Sequence, residues 1–250
     1  MSERDSYPPG VPCWVDNLVG DVDAAVRFYG ELLGWEFDGP GPGNYYVARV
    51  RGRDVAGVAS APPGVSAGWN TYVSVASVED TASAADRVVV EPLDALPAGR
   101  VAALKDPTGA IIGIWEPADR QGCQLVNEPS AYAMSALHTP DPDAAAGFYR
   151  HLFGWETQEF APGVSLFRLP GYVGGEPSQP VPRDVIAVMA KDEGPARWSV
   201  DFWVTDADTL AGRVAELGGN VVVPPFDSIP KRQAVLADPF GGVFSVSTAP

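Results

Sequence analysis

The chain is poor in the residues that carry most metal and redox chemistry: of 250 residues, two are cysteine and two are histidine. Cys13 and Cys123 make neither a disulfide framework nor a zinc-ligand pattern, and read as reduced thiols of a cytoplasmic protein. Lysine is nearly as scarce, at Lys105, Lys191 and Lys231, and the formal charge is −15. A surface this acidic repels phosphate, which excludes a nucleic-acid partner. No apolar run approaches a membrane span, and Met1-Ser2-Glu3-Arg4-Asp5 lacks the apolar core of a secretory signal. There is no Gly-x-Ser-x-Gly elbow and no nucleotide fingerprint. Gly39-Pro40-Gly41-Pro42-Gly43 is interrupted by proline and does not read as a phosphate loop.

What is present is a duplication. Phe28-Tyr29-Gly30-Glu31-Leu32-Leu33-Gly34-Trp35-Glu36 returns as Phe148-Tyr149-Arg150-His151-Leu152-Phe153-Gly154-Trp155-Glu156. Trp69-Asn70-Thr71-Tyr72-Val73 returns loosely as Trp198-Ser199-Val200-Asp201-Phe202, and Asp106-Pro107-Thr108-Gly109 as Asp238-Pro239-Phe240-Gly241. The offset is about 120 to 132 residues, the size of a domain. The division is a loosely held lead at 1–11, domains at 12–117 and 132–250, and a linker at 118–131.

Within the first half, alternation predicts strands over 13–19, 45–50, 55–59, 71–75, 101–105 and 110–115. Helices are predicted from Asp21 to the glycine stop at Gly34, and over 79–87. The second half repeats the plan, with helices over 142–152 and 207–217. Its strands fall at 133–138, 164–169, 185–190, 199–204, 220–223, 233–237 and 242–247. The Pro- and Gly-rich stretch 170–184 reads either as a site wall or as a plain surface insertion.

These residues carry a resemblance. A strand, an aspartate, a helix with Phe-Tyr ending in Leu-Gly-Trp, and Asp-Pro-x-Gly before the last strand look like the vicinal oxygen chelate superfamily. That group includes glyoxalase I, bleomycin-resistance proteins and extradiol dioxygenases. Pro12-Cys13-Trp14-Val15-Asp16 and Leu125-Val126-Asn127-Glu128 resemble two-domain actinobacterial proteins labelled glyoxalase-like or hydroxylase-like. The resemblance implies an α+β fold of tandem paired βαβββ modules, two domains and four units, with each pair enclosing a cup. It also implies, in metal-using members, a His, Glu or Gln ligand on the first and last strand of each unit. Here those positions fall at Trp14, Asn70, Gly113, Met134, Ser199 and Ser245, with Ala, Gly, Val, Ser or Met at the rest. None is an imidazole or a carboxylate, so the expectation is no metal and no other cofactor.

Other chemistry is sought on the strands. Met134, Ala136 and His138 share one strand face, as do Ser199, Asp201 and Trp203. His138 and Asp201 make either an acid/base pair beside an indole, or a strand-end histidine in water with an aspartate held by backbone donors. Asp16 shares a face with Trp14 and is either a base in an apolar cup or a solvent-exposed strand end. Trp14, Tyr46, Tyr72 and Trp115 in one half, and Phe167, Trp203 and Phe244 in the other, have pocket-compatible parity. Trp35 and Trp155 read as core.

The function expected is a binder of a small hydrophobic or aromatic molecule, its cup lined by those aromatics with Asn70, Met134, Ser199 and Ser245. The alternative is a metal-independent lyase, isomerase or cyclase using Asp16, or His138 with Asp201; a hydroxylase has no residue support. Either fits a monomer or a homodimer, because one chain holds both units of each cup.

Overall fold

The computed structural model describes residues 2–62, 65, 67–174, 182–228 and 231–248; residues 175–181 of the predicted long loop lie outside them. The first domain runs β1 (Pro12–Val19), α1 (Val22–Leu33), β2 (Glu36–Gly41), β3 (Tyr45–Val50) and β4 (Arg53–Ser60). It continues with β5 (Gly68–Ser74), α2 (Val78–Ser83), β6 (Val88–Ala95), β7 (Gly99–Lys105) and β8 (Ile111–Pro117). The second domain runs β9 (Tyr132–Thr139), α3 (Pro142–Phe153), β10 (Glu156–Ala161), β11 (Val164–Arg168) and β12 (Val185–Lys191). Then come β13 (Arg197–Val204), α4 (Ala207–Glu216), β14 (Asn220–Ser228), β15 (Lys231–Ala237) and β16 (Val243–Thr248). Among the described residues, no helix is long and apolar enough to cross a membrane.

Each domain is one eight-stranded sheet, ordered β2-β3-β4-β1-β5-β8-β7-β6 and β10-β11-β12-β9-β13-β16-β15-β14. The two βαβββ units of a domain join through an antiparallel pair, β1 with β5 and β9 with β13. The predicted caps hold. Asp21 and Asp141 accept from Ala24 N–H and Ala144 N–H, and Gly34 and Gly154 close the helices at φ 71°. A left-handed residue there favours glycine.

Three edge strands, β2, β6 and β10, escape the sequence reading. β2 and β10 are almost wholly exposed and β2 contains Gly39-Pro40-Gly41, so neither shows the alternation that marks a half-buried strand. β6 alternates only between exposed and half-buried positions. α2 stops at Ser83 because it buries only Val78 and Ala82. The lead is not loose. Tyr7 is buried and its phenol donates to the Cys123 carbonyl at 2.7 Å, while Gly10 N–H bonds the Ser74 carbonyl at 2.8 Å. A buried ring with a satisfied hydroxyl anchors a segment that composition alone marks as free.

The two sheets face each other across an aromatic core. Trp69 packs on Phe202 with ring centroids 5.0 Å apart, and Thr71 Oγ1 meets Ser135 Oγ at 2.7 Å. The duplicated motifs meet here. Tyr29 donates to Asp238 Oδ2 at 2.8 Å and accepts from Trp69 Nε1; Tyr149 donates to Asp106 Oδ2 at 3.0 Å and accepts from Trp198 Nε1. Trp35 Nε1 and Trp155 Nε1 donate across the same boundary to the carbonyls of Ser130 and Gly10. Each half's Asp-Pro-x-Gly turn therefore latches the other half's Phe-Tyr helix.

Candidate functional site

Alternation along the central strands turns every second residue away from this interdomain core, onto the face where the resemblance places the cups. In the first domain that face carries Trp14 and Asp16 on β1, set opposite Tyr72 and Asn70 on β5. Asp16, 4% exposed, is the centre of the arrangement. It accepts Asn70 Nδ2 at 3.0 Å, the Tyr72 hydroxyl at 3.0 Å and the Tyr45 hydroxyl at 3.2 Å. Trp14 Nε1 donates to the Tyr45 oxygen at 2.7 Å.

Burial raises the Asp16 carboxyl to about 6, against the opposing hydrogen bonds from Asn70, Tyr72 and Tyr45. Burial, then the charge of Asp16, pushes both phenols well above their ordinary value, so they remain donors. Asp16 is thus neither solvated nor free: it is a buried carboxylate held by three side-chain donors.

The rings rest directly on backbone. A Cβ on Gly57 would lie 2.0 Å from the Tyr45 hydroxyl, one on Gly113 2.2 Å from the Tyr72 ring, and one on Gly99 2.6 Å from the Trp115 ring. Gly57 sits opposite Asp16, and Gly113 opposite Tyr72. Trp14 and Trp115 are buried; Tyr45, Asn70 and Tyr72 are half-buried. The linker closes one side: Trp115 Nε1 donates to the Arg120 carbonyl at 2.9 Å, and the Arg120 guanidinium lies 5.3 Å from the Trp14 ring.

Sequence reasoning chose Tyr46 for this wall, but Tyr45 occupies it. A shift of one residue moves a side chain to the other sheet face, and Tyr46 is in register with Val58 and Asn17, on the face turned to the interdomain core. The missed signal was the glycine in β4 and in β8, since glycine inside a strand marks close approach.

In the second domain the corresponding face carries Met134, Ala136 and His138 on β9, and Ser199, Asp201 and Trp203 on β13. Asp201 is buried; Ser245 Oγ donates to it at 2.8 Å, and Ser247 Oγ also donates. Burial raises its carboxyl, opposed by Ser247, by the Lys231 charge and by Ser245. Lys231 Nζ sits 4.8 Å from the centroid of the Trp203 ring.

The sheet does not bring His138 and Asp201 together. Asp201 pairs with Met134 while His138 pairs with Arg197, four residues further along the strand, about 13 Å at strand rise. His138 Nε2 instead meets Ser199 Oγ at 2.9 Å, with Asp192 3.7 Å from Nδ1. Burial, then Arg197, lowers its pKa, against the pull of Asp192. Phe167 and Phe244 leave the site altogether. Both are fully buried in the aromatic core, Phe167 beside Trp155 and Phe244 beside Tyr29. Ser245, the neighbour of Phe244, points the other way, onto the face of Asp201, to which its hydroxyl donates.

The donors do not fit a metal centre. Trp14, Asn70, Gly113, Met134, Ser199 and Ser245, the positions that the resemblance gives to ligands, offer no imidazole or carboxylate, and Asp16 and Asp201 are each the only carboxylate shown in their constellation among the described residues. Among the described residues, no group of three or more His, Cys, Asp or Glu side chains is placed to hold an ion.

Comparison with known proteins places this geometry. A family model described as a glyoxalase-like domain matches residues 134–247. The chain is 37% identical over 265 residues to "Putative glyoxylase CFP32" of Mycobacterium tuberculosis, covering 98% of this chain and 97% of that protein. It is 30% identical over 268 residues to "Anthracycline biosynthesis protein DauV" of Streptomyces sp. strain C5, covering 96% and 94%. Among solved structures it resembles the Mn(II)-bound glyoxalase of Novosphingobium aromaticivorans (TM-score 0.67, 16% identity, 96% of this chain and 82% of that one). It also resembles the 2,3-dioxygenase LapB of Pseudomonas sp. KL28 (TM-score 0.64, 13% identity, 96% and 93%). At such identities the structures share the fold alone.

Proposed function

The chain belongs to the glyoxalase-like family of the vicinal oxygen chelate superfamily, and from that premise we propose that it binds a small planar aromatic molecule in the cup of its first domain, without a metal. The observation that carries this reading is the set of three glycines lying under three aromatic rings. Glycine in a strand interior costs about 0.5–1 kcal/mol relative to alanine, so three such positions need a compensating use. Here they let Tyr45, Tyr72 and Trp115 lie against the sheet. The hydroxyl contacts to Asp16 hold both phenols in place. A wall fixed in advance leaves little side-chain entropy to be lost when a ligand stacks on it. Each aromatic contact adds about 0.5–1.5 kcal/mol beyond area burial. The relatives named for anthracycline biosynthesis support the ligand class, an anthracycline being a fused-ring aromatic compound.

A second reading draws on one observation, the Asp16 carboxyl raised to about 6. A carboxylate in that range suits proton transfer in a metal-independent lyase, isomerase or cyclase. Against it, all three donors would have to rearrange before Asp16 took a proton from a substrate.

The test is a titration with 1,4-dihydroxyanthraquinone, read by intrinsic tryptophan fluorescence and by chromatography of the recovered compound. Binding predicts saturable quenching with the compound returned unchanged. Gly113→Ala displaces the Tyr72 ring and Tyr72→Leu removes it, so both should weaken binding about tenfold while far-ultraviolet circular dichroism is retained. Unaltered affinity in folded Tyr72→Leu refutes the wall; conversion of the compound, abolished by Asp16→Asn, favours the enzyme.

A further inference from the structure

The chain has seven tryptophans, and six of their indole N–H groups have an acceptor. The exception is Trp203. It is 4% exposed, and its Nε1 has no hydrogen-bond partner among the described residues. A buried donor without an acceptor is rare in folded proteins and destabilising, so one specific orphan in an otherwise satisfied set points to a missing group.

The surroundings of Trp203 say what that group is. Lys231 lies over its ring, half-buried, and forms no ion pair among the described residues. The nearby carboxylate of Asp201 accepts from Ser245 and Ser247, and its charge acts on Lys231. An indole N–H and an ammonium are both donors, and the indole has no acceptor among the described residues. The strand positions that carry Tyr45 and Tyr72 in the first domain carry Val164 and Asp201 in the second, so neither of those two rings has a counterpart here. A donor pair beside an aromatic surface fits a charged oxygen on a small organic molecule.

We propose that the second domain holds a separate site for a small organic anion, its carboxylate or phenolate oxygen accepting from Trp203 Nε1 and lying against Lys231. The site is independent of the first-domain cup and shares no side chain with it.

The test is a titration of the full chain, labelled with nitrogen-15, with sodium benzoate and sodium 4-nitrophenolate, followed on the indole N–H resonances. Trp203→Phe identifies the Trp203 signal. The Trp203 proton should move downfield and saturate with at least one of the two anions, the responding anion separating carboxylate from phenolate. Benzamide, the uncharged analogue of benzoate, should bind about tenfold more weakly or not at all. Lys231→Met should reduce affinity by a similar factor, and Lys231→Arg should restore most of it. Lys231 is half-buried at the start of an outer strand, so these variants are expected to fold, which the unchanged remaining indole signals would verify. A Trp203 signal that stays still with both anions overturns the proposal, as does an equal response to benzamide or an unaltered response in Lys231→Met.

Discussion

Replacing Tyr149 by phenylalanine removes one oxygen from the boundary between the domains, and its effect follows from two contacts. The hydroxyl donates to Asp106 Oδ2 at 3.0 Å and accepts from Trp198 Nε1 at 2.9 Å. All three side chains are buried. Phenylalanine fits the same space, so the loss is purely polar: Asp106 loses its donor from the other domain and Trp198 is left with a buried N–H. A hydrogen bond to a charged group contributes about 1.5–3 kcal/mol, and an orphaned buried donor costs at least about 1 kcal/mol more. Together these give roughly 2.5–4 kcal/mol. A chain of this size shifts by about 2–4 °C per kcal/mol, so calorimetry should show Tm lowered by about 5–16 °C. Tyr29→Phe should cost at least as much, because Tyr29 also accepts from Asn17 Nδ2 at 3.0 Å. A double-mutant cycle with Asp106→Asn should return a coupling of about 1–3 kcal/mol. If Tyr149→Phe melts within about 0.5 kcal/mol of the parent, or the coupling is zero, the latch does not hold the domains together.

Asp16 predicts a pH dependence. Its folded-state pKa lies above the unfolded value, so the folded state binds the proton more tightly and stability falls as pH rises through the interval from about 4 to about 6. Asparagine at that position removes the charge. The stability gap between Asp16→Asn and the parent, from urea melts, should therefore widen in favour of the variant by about 3 kcal/mol across that interval and stay constant above it. A pH-independent gap would mean the carboxyl is not perturbed. Cys13 and Cys123 are both fully buried, and burial pushes both thiols up. Neither should react with a thiol-specific disulfide reagent in the native protein, and both should react in guanidinium; fast native reaction would contradict their burial.

The paired βαβββ plan was legible because its signals are local: alternating strands, aspartate caps, glycine stops and a repeated order. Which residues share a sheet face was legible only where strand parity was unambiguous. Asp16, Trp14, Asn70 and Tyr72 share a face because β1 and β5 are regular there. Tyr45 and Tyr46 are adjacent tyrosines on a strand whose start the sequence does not mark, and a single-residue choice decides between wall and core. Phe244 and Ser245 were assigned to one wall although neighbours in a strand cannot share it. Lys231, Ser247 and the three glycines under the rings were missed because their roles depend on which strands become neighbours, a property of register that local pattern does not encode.

The duplication itself invites a different use from the obvious one. If both halves performed the same chemistry, the matching residues would line the cups. They do not. Tyr29 and Tyr149, Trp35 and Trp155, Trp69 and Trp198, and Asp106 and Asp238 all lie on the interdomain side, joined in two reciprocal latches. On the opposite faces the equivalents differ: Asp16 against Ala136, Asn70 against Ser199, Tyr72 against Asp201, Gly113 against Ser245. A latch needs both partners at once, because losing either leaves a buried charge or donor unpaired, so substitution there is penalised in both halves. A residue on the opposite face has no such reciprocal partner in the other domain. Two copies of one scaffold, tied by a shared core, are thereby free to carry unlike faces, one of rings over glycine around a buried acid and the other with a lysine over an indole that has no acceptor among the described residues.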